Sequence, residues 1–308
     1  SITMGRPGLL KNIANMYLMK DGTPFTAQPG WETMQLPDES KNRDGRFAQT
    51  VRTPGYKRID DTALSAPNLA ATMTGYQLVK YLQAAKYDSY NASTSDMPLF
   101  RAAEVMLNYA EAKAELGTLT KDDLLISIDR IRDRAGMKGL DMAAANANPD
   151  PFLLACYPNV TKSENTGVIL EIRRERTIEL VMEGLRMWDM FRWKEGAQLV
   201  NETNPYYGIY FSGPGLYDMD GDGRNDLELY VDKQTSSPAD GLTVLRIGSD
   251  IILSDMAENR GYVVAWSTLK YTWNEERDYL WPIPADQRVL TGGLLTQNPG
   301  WTDSTDFD

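Results

Sequence analysis

Three glutamates, Glu175, Glu179 and Glu183, recur every four residues in the stretch RRERTIELVMEGLRMWDMFRW (173–193). Side chains on an α-helix turn by about 100° per residue, so such a set falls on one face. Two carboxyl groups about 5–9 Å apart are what a glycoside hydrolase uses, one as acid and one as nucleophile or base. A di-metal comb is excluded more firmly, because it calls for Glu-x-x-His and the chain has no histidine. The third reading is structural. Glu175, Arg176, Glu179, Glu183 and Arg186 share a stripe about 80° wide, with Ile178, Val181, Leu185 and Trp188 opposite and Leu180, Met182, Met187 and Phe191 on the flanks. A helix that is apolar around most of its circumference is buried on several sides, and buried glutamates need cations. Arg176 and Arg186 stand among them, and Arg130, Arg132 and Arg134 of an earlier helix are placed to add forks. Arginine neighbours hold carboxylates ionised, the wrong state for a general acid. The expectation is a charge-paired scaffold helix.

A second carboxylate cluster lies in DMDGDGRND (218–226). Asp218, Asp220, Asp222 and Asp226 match positions 1, 3, 5 and 9 of a calcium-binding loop, with Gly223 at the sharp turn and the backbone carbonyl of Arg224 at position 7. Leu229 stands where the closing glutamate belongs, and Glu228 is one residue short. The spacing predicts a structural Ca²⁺ that pins a long loop; the alternative is a solvated Asp/Gly turn. A third group is aromatic. Trp31, Tyr206, Tyr207, Tyr210, Tyr217, Trp266, Tyr271 and Trp273 fall in loops or short extended segments. Exposed rings offer platforms for the C–H faces of sugars, whereas buried ones are core. Trp31, Tyr206, Tyr207, Tyr210, Trp266 and Trp273 are the candidate ligand contacts.

Composition narrows the chemistry further. A net charge of −11 over 308 residues, with no basic run, disfavours nucleic acid as a partner. Without histidine there is no Ser-His or Cys-His nucleophile pair. The lone cysteine, Cys156, excludes an intrachain disulfide and is expected to pack as a small hydrophobe. No apolar run reaches the roughly 18 residues of a membrane span. The chain starts without Met, as a processed product or the later part of a longer chain would.

The elements that must position these groups fall into three regions. Residues 1–97 are loop-rich, with FAQTV (47–51) as one short strand. Residues 98–196 form a helical scaffold. There Leu99, Ala103, Met106, Leu107, Ala110 and Ala114 mark one amphipathic helix that ends at Gly117. Thr120 caps a second helix running to Gly136. The two make an αα-hairpin like one tetratricopeptide unit. The charged helix follows, from about Val168 to Gly196. Residues 197–308 are loop-rich, with strands at LELYV and GYVVAW, and Pro282 and Pro284 exclude a helix at WPIP.

The ordered set DGTPF (21–25), NRDGRFAQTVRTPG (42–55), TGYQLVKYL (74–82), FRAAEVMLNYAEAKAELG (100–117), IDRIRDRAGM (128–137), IRRERTIELVMEGLRMWDMFRWKEG (172–196) and LWPIPADQRV…QNPGW (280–301) resembles the SusD/RagB family of Bacteroidota. The resemblance covers nearly the whole chain and the C-terminal portion of that family. It implies a mainly α fold with long irregular loops and a few short strands. It also implies a non-enzymatic, lipid-anchored protein of the outer-membrane surface. Such a protein captures glycan for a SusC-like TonB-dependent transporter; some members resemble oligopeptide-binding proteins instead. Trp31 lies in a region that contributes ligand-facing aromatics in glycan-binding members. The lipidated cysteine and most tetratricopeptide helices would belong to an N-terminal half outside this chain, leaving an apolar face exposed on the helices present.

Overall fold

The computed structural model describes residues 5–302 apart from 97, 201–205, 238–240 and 269. The helices are α1 (Lys11–Ala14), α2 (Leu36–Glu39), α3 (Gly45–Thr50), α4 (Ala102–Glu115), α5 (Lys121–Leu125), α6 (Ile128–Arg134), α7 (Met142–Ala147), α8 (Pro151–Cys156), α9 (Thr166–Glu179), α10 (Arg186–Arg192) and α11 (Ala285–Leu290). The strands are β1 (Tyr207–Phe211), β2 (Gly215–Tyr217), β3 (Leu227–Tyr230), β4 (Thr243–Arg246), β5 (Leu253–Asp255) and β6 (Arg260–Val264). They form two small sheets, β1-β6-β5, antiparallel, and β2-β3-β4, in which β3 and β4 are parallel. Among the described residues, no helix is long and apolar enough to cross a membrane.

α9 is the centre of the molecule. Every residue from Thr166 to Glu179 is buried except half-buried Glu171. α4, α7 and α8 pack against it, and its Val168, Leu170, Ile172 and Ile178 join one continuous apolar core with Tyr17, Phe47 and Tyr76 from the first region and Ile209 and Phe211 of β1. Contact with α7 is close at Gly167, where a Cβ would lie 1.8 Å from the Ala145 carbonyl oxygen. Asn146 of α7 accepts the Val168 N–H at 2.7 Å, satisfying one of the donors left open at the start of α9.

Local signals fix most helix ends. Thr120 and Asp123 exchange bonds in a capping box at the start of α5. Beyond α4, Gly117 has φ 67° and the Thr118 N–H bonds the Lys113 carbonyl, a left-handed stop that a residue with a Cβ adopts at a cost. Four expectations are corrected. The charged helix does not run from Val168 to Gly196: it breaks after Glu179, because Met182 (φ 66°) and Gly184 (φ 77°) turn left-handed, and resumes as α10. The second helix of the scaffold divides into α5 and α6 at Ile126–Ser127. FAQTV is helical up to Thr50, because Asp44 caps α3 by accepting the Arg46 N–H. Leu99 and Phe100 precede α4 and are exposed, as are Val105 and Tyr109 on α4, Leu116 at its C-cap, and Leu125 and Ile126 at the end of α5.

Candidate functional site

The three glutamates are held by cations from other segments. Glu175 is fully buried between Arg46 (Nη1 to Oε2, 3.0 Å) and Arg132 (Nε to Oε1, 2.6 Å). Burial pushes its carboxyl up, but the two guanidinium groups outweigh this and hold it at about 2. Glu179 accepts from Arg46 (3.3 Å), Arg101 (3.0 Å) and Arg134 (2.7 Å). Glu183, beyond the helix end, accepts from Lys80 and Arg101, both at 2.7 Å, and burial is again outweighed, so its carboxyl titrates below the usual range. The arginines expected inside the stripe go elsewhere. Arg176 binds Asp189 (2.7 Å) and Asn108 (2.6 Å), and Arg186 donates to the Tyr157 and Thr177 hydroxyls at 2.9 Å. Arg130 is exposed, whereas Arg132 and Arg134 supply the expected forks. Held ionised by their cations, Glu175 and Glu183 have no proton to donate, and both Glu179 oxygens are engaged by arginines.

A candidate place for a ligand lies at the edge of this network. A cavity of about 750 Å³ opens between the loop at Leu18–Trp31 and the segment Lys138–Phe152. Trp31 stands in a short 3₁₀ turn after left-handed Gly30 (φ 71°), with its ring edge-on to Phe152 (6.2 Å) and to buried Phe25 (6.4 Å). The opposite wall is built by two capped helices. Asp141 accepts the Ala144 N–H (3.0 Å) at α7, and Asp150, followed by Pro151, accepts the Phe152 N–H (2.8 Å) at α8. Glu171 lies in the lining and binds Arg132 (3.3 Å) and Arg174 (3.2 Å). Asp21 accepts from the Thr23 N–H (2.9 Å) and hydroxyl (2.7 Å), which depress its carboxyl. The lining thus holds four carboxylates, Asp21, Asp141, Asp150 and Glu171, and two cations, Arg132 and Lys138, while Arg174 behind the wall pairs with Asp150 and Glu171. Arg132 is spent on Glu171 and Glu175, while Lys138 makes no ion pair among the described residues. The volume, apolar wall and few polar groups suit a small-molecule site.

The other aromatic candidates separate into groups. Tyr207 stacks on Tyr262 (5.1 Å) and Tyr210 meets the same ring edge-on (5.5 Å), brought to one side by the irregular register of β1 between Tyr207 and Tyr210. Tyr262 donates its hydroxyl to the Glu32 carbonyl, so this cluster abuts the turn that carries Trp31. Tyr206 contacts Trp266 and Tyr271, whereas Trp273 packs with Phe191 and Tyr279 against Gly196. Tyr217 lies against Phe211. Cys156 is largely buried, which pushes its thiol up to about 11 and away from nucleophile chemistry.

In the acidic loop, one carboxylate oxygen from each of Asp218, Asp220 and Asp222 lies within 4.8 Å of the others. Burial and the neighbouring carboxylates raise Asp220 and Asp226. Asp226 turns its Oδ2 to the Met219 (2.7 Å) and Asp220 (3.2 Å) N–H groups, so it shapes the loop from outside the triad. Glu228 does not close the loop: Thr235 and Ser236 engage both its oxygens. The hard oxygen set fits a cation such as Ca²⁺.

The sequence matches the SusD family over residues 3–301. The chain belongs to the SusD family. Two solved structures share the fold. One is a SusD-like protein from Bacteroides fragilis (20% identity, TM-score 0.58), for which the match covers 96% of this chain and 47% of that one. The other is a SusD-like carbohydrate-binding protein from the same organism (22%, TM-score 0.55), with 91% and 47% covered. The chain thus spans about half the length of the solved structures it matches. No curated protein matches by sequence. Within this SusD-family fold, several residues of the cavity escaped the sequence reading: Phe152, Lys138, Asp141 and Asp150. Asp150-Pro151, an N-cap followed by proline at the first helical position, was the available signal.

Proposed function

We propose that this chain carries the ligand cavity of a cell-surface glycan-binding protein. That protein would be lipid-anchored through a further segment and would serve a SusC-like TonB-dependent transporter of the outer membrane. The observation that carries the reading is the cavity beside Trp31. It combines an indole and a phenyl wall with hydrogen-bonding groups, and one solved relative is described as carbohydrate-binding. The excess of carboxylates over cations favours an uncharged glycan over a sulfated or uronate-rich one, since like charges repel across a desolvated site. Catalysis is disfavoured by the ionised, cation-bound state of Glu175 and Glu183. Further helices of a longer chain would cover the exposed side of α4, in the way repeat units bury one another's faces. Asp218, Asp220 and Asp222 would hold a structural Ca²⁺, with Asp226 shaping the loop and the Arg224 carbonyl as a further ligand.

Affinity electrophoresis against neutral and acidic polysaccharides, with reducing-sugar release measured in parallel, tests this. Retardation by a neutral polysaccharide without product supports it. Binding confined to peptides would move the function to oligopeptide capture, and product formation would contradict the non-enzymatic reading.

A further inference from the structure

We propose a second saccharide contact site, for a single uncharged sugar residue, at the cavity beside Trp266. This cavity measures about 300 Å³ and is bordered by Arg6, Thr72, Asp250, Trp266, Ser267 and Thr268. It shares no lining residue with the cavity at Trp31.

Two of its residues are in a conformation that side chains with a Cβ rarely adopt: Arg6 has φ 44° and Trp266 has φ 52°. Left-handed backbone at a bulky residue costs free energy, and burial does not explain it here, because Trp266 is 43% exposed. Its indole is buttressed instead. Tyr206 meets it edge-on at 5.5 Å and 82°, and Tyr271 supports Tyr206 at 5.4 Å. A large aromatic ring is thus held at the surface next to a concavity.

The polar groups suit a sugar. Arg6 donates from Nη2 to the Leu69 carbonyl (2.7 Å), while its buried Nε has no hydrogen-bond partner among the described residues. Asp250 gives one carboxylate oxygen to the Arg246 N–H (2.8 Å). Together with Ser267 and Thr268, these supply donors and acceptors for ring hydroxyls, and the indole supplies the face for ring C–H groups. Arg6 and Asp250 balance in charge, so neither an anionic nor a cationic sugar is favoured. Such a contact is weak alone. On a polymer already held elsewhere on the protein it acts at high effective concentration and raises the overall affinity. The inference does not depend on the reading of the Trp31 cavity.

The test follows the indole N–H signals of the seven tryptophans in ¹⁵N-labelled protein. Trp266→Phe and Trp31→Phe assign the two signals that matter. D-Glucose, D-galactose, D-mannose and D-xylose are titrated separately. The expected result is a saturable shift of the Trp266 signal with at least one of them, lost in Arg6→Gln while the other indole signals keep their positions. No saturable shift at Trp266 with any of the four sugars overturns the proposal, as does a shift that survives Arg6→Gln unchanged. The two sites report separately. A response at Trp31 alone removes this site and leaves the first, and a response at Trp266 alone does the reverse.

Discussion

Along α9, Glu175 is matched by two arginines and Glu179 by three; of the four carboxylates lining the Trp31 cavity, only Asp150 and Glu171 are ion-paired among the described residues. The residue types are the same, but the degree of engagement differs. The network lies mostly inside the core, with Arg134 exposed at its edge, and its glutamates are engaged by cations on both oxygens. The cavity leaves Lys138 without an ion pair among the described residues and an indole at its wall. The two regions also share members: Arg132 joins Glu175 of the network to Glu171 of the cavity lining. The edge of the charged core thus forms one wall of the cavity, the arrangement by which the proposed site would gain precision from its scaffold.

The largest expected effect is on the network. Glu175→Gln leaves Arg46 and Arg132 undercompensated in a buried setting and is expected to cost about 3–5 kcal/mol, read from the midpoint of urea unfolding. A loss below about 1 kcal/mol would mean that the network is not the scaffold. The pH dependence sharpens the point with two opposite signs. Glu175 is held at about 2 against an ordinary 4.5, so its contribution is present above pH 4.5 and is lost as pH falls toward 2. Glu195 is buried and pushed up to about 7, with one oxygen unpartnered among the described residues and the opposing bonds from Asn159 and Arg173 too weak to prevent it. Between pH 4.5 and 7 the folded form holds a proton that the unfolded form releases, so this group lowers stability as pH rises. Urea midpoints between pH 4.5 and 7 should lose their downward slope in Glu195→Gln, and those between pH 2 and 4.5 should lose their acid limb in Glu175→Gln.

A smaller effect is expected at the acidic loop. Ca²⁺ well above its dissociation constant should stabilise by about 2–3 kcal/mol, seen as a rise of a few degrees in Tm that Asp220→Asn removes. An identical Tm with Ca²⁺ and with chelator would leave an Asp/Gly turn. The smallest effect is at the cavity rim. Asp21→Asn, at an exposed turn, should change stability by no more than about 0.5 kcal/mol. A larger loss would make the cavity rim part of the scaffold and remove the distinction between the two regions.

How far the sequence could be read follows the same division. The composition of the charged stretch pointed to a buried, charge-paired helix, because an apolar circumference with interleaved glutamates admits few other solutions. Its length was misread, since Gly184 looked tolerable inside a helix and nothing local announced a left-handed Met182. The partners of the glutamates were half legible. Arg132 and Arg134 lie on a neighbouring helix, but Arg46, Lys80 and Arg101 come from segments whose approach only the tertiary fold decides. α7 and α8 carry little periodicity in their short stretches, and only the caps Asp141 and Asp150 mark them. Trp31 was visible as a candidate, while Phe152, its neighbour across the cavity, comes from a distant segment with no pattern linking the two.

The measurement that bears most directly on the central claim is calorimetric titration with oligomers of whichever neutral polysaccharide retards the protein. Wild type, Trp31→Ala and Trp281→Ala would be compared, the last replacing an exposed tryptophan outside the cavity lining. Loss of an aromatic platform at a binding hot spot costs about 2 kcal/mol or more, so affinity should fall at least about 30-fold in Trp31→Ala and stay unchanged in Trp281→Ala. Undiminished binding by Trp31→Ala would contradict the assignment of the ligand to this cavity.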